Sequence, residues 1–334
     1  MSLRAIVHIS VKLISAAFML IVLNSCTKWH HERNDLPYIT FGVSGLDIET
    51  KALITDFTAQ SITVYGVKNN TTPLFYPSVS TTLIRGTGNN WTTNPQKQWE
   101  AGSSYSFYAH THSPASPQND ASISVKNSGL EITVAQPSAY SETDMVDYML
   151  SHAYKVADGK NYHTVILYMQ HAMSWIEVVV EKEDIGHTIA LNEISLSNIY
   201  RTANMKCDAQ AVALSGYHNL WNTTLTGSNN TTYTKNTFSQ DGTLLGKMSF
   251  LAVPQQLSAA TALSVSYRVT ENAGTTKDYT ETFNLYNYNP YVWESGHKIT
   301  YTLTINTGVQ LKAHIDDWTE SGYIEGIIIP KETE

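Results

Sequence analysis

The strongest constraint on the fold is a strict alternation of apolar and polar residues near the C-terminal end of the chain. In residues 299–306 (ITYTLTIN), one face carries Ile299, Tyr301, Leu303 and Ile305, and the other carries only threonine and asparagine. This two-residue period is typical of a half-buried antiparallel strand, because successive side chains of a strand point to opposite faces. Similar short runs occur at 61–67, 104–109, 130–134, 163–170, 175–181, 247–253, 263–269 and 279–285. The chain is therefore predicted to be all-β.

Polar, turn-rich stretches separate these runs, for example 68–73 (KNNTTP) and 112–120 (HSPASPQND). Many short strands with turns between them favour sandwiches or barrels. No long segment has the 3.6-residue period of an amphipathic helix. The best helical candidate is the short segment 141–150 (SETDMVDYML), where Ser141 or Thr143 could cap the helix.

The first residues of the chain are typical of a secretory signal peptide, which is predicted to span residues 1–25. Arg4 and Lys12 precede or border an apolar run at 13–23 (LISAAFMLIVL), and small polar residues follow it. A membrane-spanning helix needs roughly 20 apolar residues, so this run is too short to be one.

The end of this segment, Leu23-Asn24-Ser25-Cys26, resembles a bacterial lipobox, in which cleavage exposes a cysteine that receives a diacylglycerol. Lipid chains on Cys26 would hold the protein to a membrane, since each buried methylene contributes about 0.8 kcal/mol. The alternative is an ordinary buried or free cysteine. With Cys26 lipidated, Cys207 has no partner within the chain, so the fold depends on its core and not on disulfide bonds.

The mature chain is long enough for two domains. Residues 26–36 are polar and are predicted to form a lipidated tether. A first β-domain is predicted over residues 37–185 and a second over 186–334, with 182–190 carrying the crossing between them.

Charge argues against nucleic acid as a partner. Loss of residues 1–25 removes Arg4 and Lys12 and no acid, so 21 basic residues become 19 against 29 acidic residues, a net charge of −10. A nucleic-acid-binding protein needs a basic face.

No motif for catalysis is present: there is no nucleophile elbow, phosphate loop or zinc-protease helix. Asp316 and Asp317 are adjacent, so on a strand they point to opposite faces and cannot flank one glycosidic bond. Asp144 and Asp147 would share a helix face, but capping or solvation explains them. The chain is therefore predicted to be no enzyme and to need no cofactor.

Metal binding is not predicted either. His110 and His112 lie two residues apart, on one face of a strand, but such isolated pairs are usually solvated or packed. Six tryptophans are expected in the core more often than on a sugar-binding surface: Trp91, Trp99, Trp175, Trp221, Trp293 and Trp318.

Several segments, in order along the chain, resemble the fimbrillin family of pilus lipoproteins from anaerobic Gram-negative bacteria. They are 38–43 (YITFGV), 57–66 (FTAQSITVYG), Trp91 and Trp99 with 102–109 (GSSYSFYA), 144–150 (DMVDYML), 163–180 (HTVILYMQHAMSWIEVVV), 250–257 (FLAVPQQL), 293–305 (WESGHKITYTLTI) and 313–318 (AHIDDW). The resemblance covers nearly the whole mature chain. It implies two tandem antiparallel β-sandwich domains of the transthyretin-like type.

The resemblance also implies an assembly mechanism. In polymerising members, a protease cuts after a basic residue that follows the first strand, and a neighbour's strand fills the groove that opens. Here the expelled strand would lie in 37–46, and the cut would follow Lys51, where the family favours arginine. Arg33 is a second candidate, but it precedes the strand, so a cut there would free only the tether. The alternative for both is a solvated basic residue in a loop.

The donor strand would come from the C-terminal segment 323–330 (YIEGIIIP). Tyr323, Ile327 and Ile329 fall on one face of this segment, and Ile324 and Ile328 on the other. A strand that is apolar on both faces is suited to burial on both sides. The alternative is that this segment is the last core strand of its own domain.

The function implied by the resemblance is a structural or adhesive pilus component: an anchor, accessory, tip or stalk subunit. Its expected place is the fimbrium and the cell outer membrane, where the N-terminal lipid anchors it and its surface is exposed. Its expected partners are other fimbrillin-like subunits, through strand exchange, with a host protein or glycan as a further ligand. Lys51 and the intact lipobox favour an anchor or accessory role. The alternative is a surface glycan-binding lipoprotein of a nutrient-uptake system, which predicts two or three solvent-facing tryptophans or tyrosines in line.

Overall fold

The chain folds almost entirely into β-strands. The computed structural model describes residues 36–44, 61–69, 72–75, 80–87, 90–113, 122–126, 129–157, 162–183, 186–207, 221–225, 230–271, 273–288, 291–306, 309–317 and 323–324. Within these ranges the only helical element is a single 3-10 turn, Leu285–Asn287. None of the described residues forms a helix with the length and apolarity needed to cross a membrane. The prediction of an all-β fold is confirmed.

The N-terminal half contains two packed sheets. Its strands are β1 (Phe41–Ser44), β2 (Thr63–Lys68), β3 (Thr72–Pro73), β4 (Ser80–Thr82), β5 (Ile84–Arg85), β6 (Trp91–Thr92), β7 (Ser104–Ser113), β8 (Ser122–Lys126), β9 (Gly129–Ala135), β10 (Asp147–Val156), β11 (Val165–Tyr168) and β12 (Gln170–His171). One sheet has the order β11-β1-β6-β5, and the other has the order β12-β10-β7-β2-β3, with β4 paired to β2. Phe41 of the first sheet meets Phe107 of the second edge to face, with ring centroids 5.2 Å apart. The core of this half therefore lies between the two sheets.

The C-terminal half repeats this two-layer plan. Its strands are β13 (Ser174–Lys182), β14 (Thr188–Tyr200), β15 (Thr202–Cys207), β16 (Trp221–Leu225), β17 (Asn230–Lys235), β18 (Leu244–Ala252), β19 (Gln255–Gln256), β20 (Ala262–Thr270), β21 (Thr276–Asn284), β22 (Val292–Trp293), β23 (His297–Ile305), β24 (Val309–Asp317) and β25 (Tyr323–Ile324). A sheet of order β18-β13-β23-β24-β25 faces a sheet of order β17-β14-β20-β21. Tyr233 of β17 packs edge to face on Phe250 of β18, with ring centroids 5.1 Å apart.

Strand pairing crosses residues 185 and 186, where the sequence predicts the domain division. Strand β9 pairs with β15 in a further sheet of order β16-β15-β9-β8, which joins two hairpins from the two sides of that position. Strand β13 precedes the position but pairs with β18 and β23, which follow it. The domain division itself stays a prediction.

Strand β23 confirms the alternation that predicted it. Ile299, Tyr301, Leu303 and Ile305 are all buried, and the threonines between them are half-buried. The strand pairs antiparallel with β24, as expected, but parallel with β13 on its other side. Strand β1 also pairs parallel with β11. The two sheets that contain these strands are therefore mixed, whereas the pairings in the other sheets are antiparallel.

The prediction of a short helix at 141–150 is wrong, because residues 142–144 form bends and strand β10 begins at Asp147. The side-chain amide of Gln136 donates from Nε2 to the Val146 carbonyl oxygen at 2.7 Å, and its Oε1 accepts from the Val146 N–H at 3.0 Å. Asp147 is fully buried and accepts a hydrogen bond from His171 Nδ1 at 2.6 Å. Capping or solvation therefore does not explain Asp147, whereas Asp144 is exposed as expected.

Candidate assembly site

Strand β1 lies inside its sheet, with neighbours on both sides. Phe41 to Ser44 pair in parallel with Val165 to Tyr168 of β11, and Phe41 also pairs with Trp91 of β6. Just before the strand, the Ile39 N–H donates to the Lys97 carbonyl oxygen at 2.7 Å, and the Val165 N–H donates to the Thr40 carbonyl oxygen at 2.8 Å. Removal of this segment would leave a gap between two strands, each with backbone groups that had been paired.

Alternate side chains of this segment point into the core. Ile39 is 1% exposed, Phe41 is 0% exposed and Val43 is 6% exposed. Full burial of one such side chain stabilises a fold by about 1.5–3 kcal/mol. The three together contribute about 5–9 kcal/mol, which is comparable to the whole stability of a typical domain.

The space that β1 fills has apolar and aromatic walls. Phe107 is one of these aromatic side chains, since its ring contacts that of Phe41. The ring of Trp99 packs edge to face on Tyr105, with ring centroids 5.0 Å apart. The neighbouring buried side chains are Trp91, Val165 and Leu167. A strand that replaced β1 would therefore need apolar side chains at alternate positions to fill the same space.

Of the six tryptophans in the core prediction, Trp91, Trp99, Trp175 and Trp293 are buried, which confirms the prediction for those four. The side chain of Trp221 and the whole of Trp318 lie outside the described part of the structure.

The other predicted assembly residues are described only in part. Tyr323 and Ile324 form β25, which pairs antiparallel with β24 through Ile324 to Ile315 and Tyr323 to Asp316. These two residues thus occupy the outer position of their own sheet. The remaining candidates lie outside the described residues: Cys26, Arg33, Lys51, Ile327, Ile328 and Ile329.

His110 and His112, which the sequence placed on one face of a strand, lie on one face of β7. His110 is buried, its Nε2 lies 3.2 Å from the Tyr65 hydroxyl, and its ring centroid is 6.2 Å from that of His112. Burial, together with the neighbouring His112, lowers the pKa of His110 to about 4. The described residues contain no group of three or more His, Cys, Asp or Glu side chains arranged to hold a metal ion.

Sequence reasoning missed a buried charge in the C-terminal half. The Glu177 side chain is 8% exposed and lies between the ammonium groups of Lys247 and Lys298, with the Lys298 nitrogen at 3.1 Å. The Lys298 ammonium also lies 4.3 Å from the centroid of Trp175. Glu177 interrupts the apolar run 175–181, and this interruption was the only signal in the sequence. The three side chains join β18, β13 and β23.

Pairs of packed β-sheets, one of them with an early strand inserted between two others, define the class of two-layer β-sandwich proteins. The family described as fimbrillin-like matches residues 50–318 of this chain. The chain belongs to the fimbrillin-like family, and it is a pilus component. No curated protein sequence matches it.

Solved structures show the same fold at low sequence identity. A fimbrial protein from Bacteroides vulgatus has 15% identity and a TM-score of 0.51, and the match covers 85% of this chain and 100% of that one. A protein of Bacteroides uniformis assigned to cell adhesion has 16% identity and a TM-score of 0.50, with 84% and 99% of the two chains covered. Identities in this range establish the shared fold and nothing finer.

Proposed function

We propose that this chain is a structural subunit of a surface pilus and that subunits of this kind join by strand exchange at the groove that β1 fills. The observation that carries the proposal is the position of β1, which lies between β11 and β6 and, with Ile39 just before it, buries Phe41 and Val43. The family consists of fimbrial proteins, which supports a structural and non-enzymatic role.

Physical chemistry supports exchange at this position. A groove without β1 would expose the backbone groups of β11 and an apolar trough, and both are costly in water. A strand from a neighbouring subunit could restore the hydrogen bonds and the burial together. The C-terminal segment 323–330 has the apolar character required of such a donor.

Cleavage would decide which role the chain plays. A cut after Lys51 would separate residues 37–46 from the body, whereas a cut after Arg33 would release only the tether. A chain that keeps β1 and carries lipid on Cys26 would fill its own groove and stay on the outer membrane. Lysine in place of the family's arginine favours this second state, so we propose an anchor or accessory subunit.

The test is intact-mass and N-terminal analysis of the protein taken from cell envelopes. The anchor or accessory role predicts an uncut chain that starts at a lipid-modified Cys26. A chain that starts at Ala52 would identify a polymerising subunit and overturn the anchor assignment.

The exchange mechanism has a separate test. A chain that begins at Ala52 should be destabilised, and a synthetic peptide of residues 37–46 should bind it and restore its thermal unfolding temperature. The matched control is the same peptide with Phe41→Ala, which should restore little. Equal unfolding temperatures for the full and the shortened chain would refute strand exchange at β1.

A further inference from the structure

The segment 283–291 (FNLYNYNPY), which starts at the last two residues of β21 and runs to the residue before β22, has an unusual composition. It contains four aromatic residues and three asparagines and no charged residue, in a chain that is 15% charged. Tyr286 is 46% exposed and Tyr291 is 47% exposed. Their ring centroids lie 6.1 Å apart, and the ring planes are tilted by 58°. The two phenol rings therefore form an open corner at the surface.

The backbone that carries these rings is held firmly. Leu285, directly before Tyr286 in sequence, is fully buried, and its N–H donates to the Thr261 carbonyl oxygen at 3.0 Å. The Tyr286 N–H donates to Asn284 Oδ1 at 3.0 Å, which caps the 3-10 turn. The Tyr291 carbonyl oxygen accepts from the Leu257 N–H at 2.8 Å. These bonds hold the backbone at Leu285, Tyr286 and Tyr291, which lowers the entropic cost of ordering those residues when a ligand binds.

Exposed aromatic pairs on a rigid frame are typical of binding surfaces. A tyrosine ring offers a flat apolar face and a hydroxyl at its edge, and the exposed Asn287 adds an amide that can both donate and accept hydrogen bonds. The segment has no charged residue to attract an ionic ligand, and Leu285, the aliphatic side chain among its described residues, is buried. A pyranose ring matches this chemistry, because it has an apolar C–H face and a rim of neutral hydroxyl groups.

We propose that Tyr286 and Tyr291 form a binding site for a neutral saccharide. One sugar ring stacks on one tyrosine, and its rim hydroxyls bond the hydroxyl of the other tyrosine and the amide of Asn287. The site lies in the C-terminal half and uses none of the residues around β1. It therefore goes beyond the pilus-subunit function and does not depend on strand exchange.

The test is a glycan array probed with the mature chain, residues 26–334, with Cys26→Ser to prevent lipidation. Neutral glycans that bind are then titrated by calorimetry. The Tyr286→Ala/Tyr291→Ala variant should lose affinity by about tenfold or more, as expected for the removal of two tyrosine anchors. The Phe variant at both positions should keep most of the affinity, because it keeps the stacking faces.

The matched control is Tyr154→Ala/Tyr168→Ala, since both of those tyrosines are 38% exposed on strands of the N-terminal half. This control should bind as the unchanged chain does. Three results would each overturn the site. The unchanged chain could bind no neutral glycan, or the control variant could lose as much affinity as the Tyr286→Ala/Tyr291→Ala variant. The third is that the Tyr286→Ala/Tyr291→Ala variant loses binding only to charged glycans or to proteins. Glycan binding is measured on the isolated chain, so these results are independent of whether the chain assembles into a pilus.

Discussion

Replacement of Phe41 by alanine tests the central role of β1 most directly. The ring is fully buried and meets Phe107 edge to face at 5.2 Å. Truncation of a buried phenylalanine to alanine costs about 3–5 kcal/mol, of which the aromatic pair accounts for about 0.5–1.5 kcal/mol. That loss is a large part of the 5–15 kcal/mol that typically stabilises a folded domain.

The assay is urea unfolding followed by circular dichroism. With a slope of about 3 kcal/mol per molar urea, the midpoint should fall by about 1–1.7 M. The matched control is Tyr38→Ala, because Tyr38 is 51% exposed just before the same strand. Its midpoint should change little, since exposed substitutions usually stay within about 0.5 kcal/mol.

Hydrogen exchange should locate the effect. In the Phe41→Ala chain, the amides of Ile39 and Val165, which are bonded to Lys97 and Thr40, should exchange faster than those of β23. A loss of stability below about 1 kcal/mol, which is a midpoint shift below about 0.3 M, or an equal loss for Tyr38→Ala, would refute the view that β1 is a central core element.

Three further predictions concern other buried polar groups. Burial lowers the pKa of His110 and of His152 to about 4, so both side chains are neutral in the folded chain near pH 7. The free energy of unfolding should be greatest above the unfolded pKa of about 6.5 and should fall by about 2 kcal/mol per histidine by pH 5. Urea midpoints measured across this pH range test the prediction. A midpoint that stays constant between pH 7 and pH 5 contradicts this. The Gln136→Ala substitution should cost about 2–4 kcal/mol of stability, because it leaves the buried N–H and C=O of Val146 without their partner. Thermal unfolding measures this loss, and an unchanged unfolding temperature would contradict a stabilising role for these two hydrogen bonds. The Glu177→Gln substitution should cost about 2 kcal/mol at low salt and less at high salt, and insensitivity to salt would exclude an ionic role.

The sequence predicted those parts of the fold that local alternation determines. Strand β23 appears where Ile299, Tyr301, Leu303 and Ile305 alternate with polar residues, and each of these four is buried. The segment resembling a first strand, 38–43, contains the buried positions of β1. In both cases the side-chain pattern alone is sufficient, because burial of one face is encoded in every second residue.

The predictions that failed concern features that depend on residues outside the local sequence pattern. Residues 141–150 have apolar residues at a spacing that suits a helix or a strand, and that local pattern does not include Gln136, which binds the backbone of Val146. The burial of Asp147 depends on His171, 24 residues away. The parallel neighbours of β1 and β13 likewise come from remote segments, and a periodicity carries no information about which strand will lie alongside.

The partnership of β1 with β11 sets an order of events for a newly made chain. Thr40 and Thr164, which touch beside these strands, are 124 positions apart. The N-terminal segment emerges from the ribosome first but cannot close its ladder until β11 has followed, while hairpins such as β23 and β24 can close locally. For that interval its apolar face is open to other chains, which makes association with the wrong partner possible until β11 has been made.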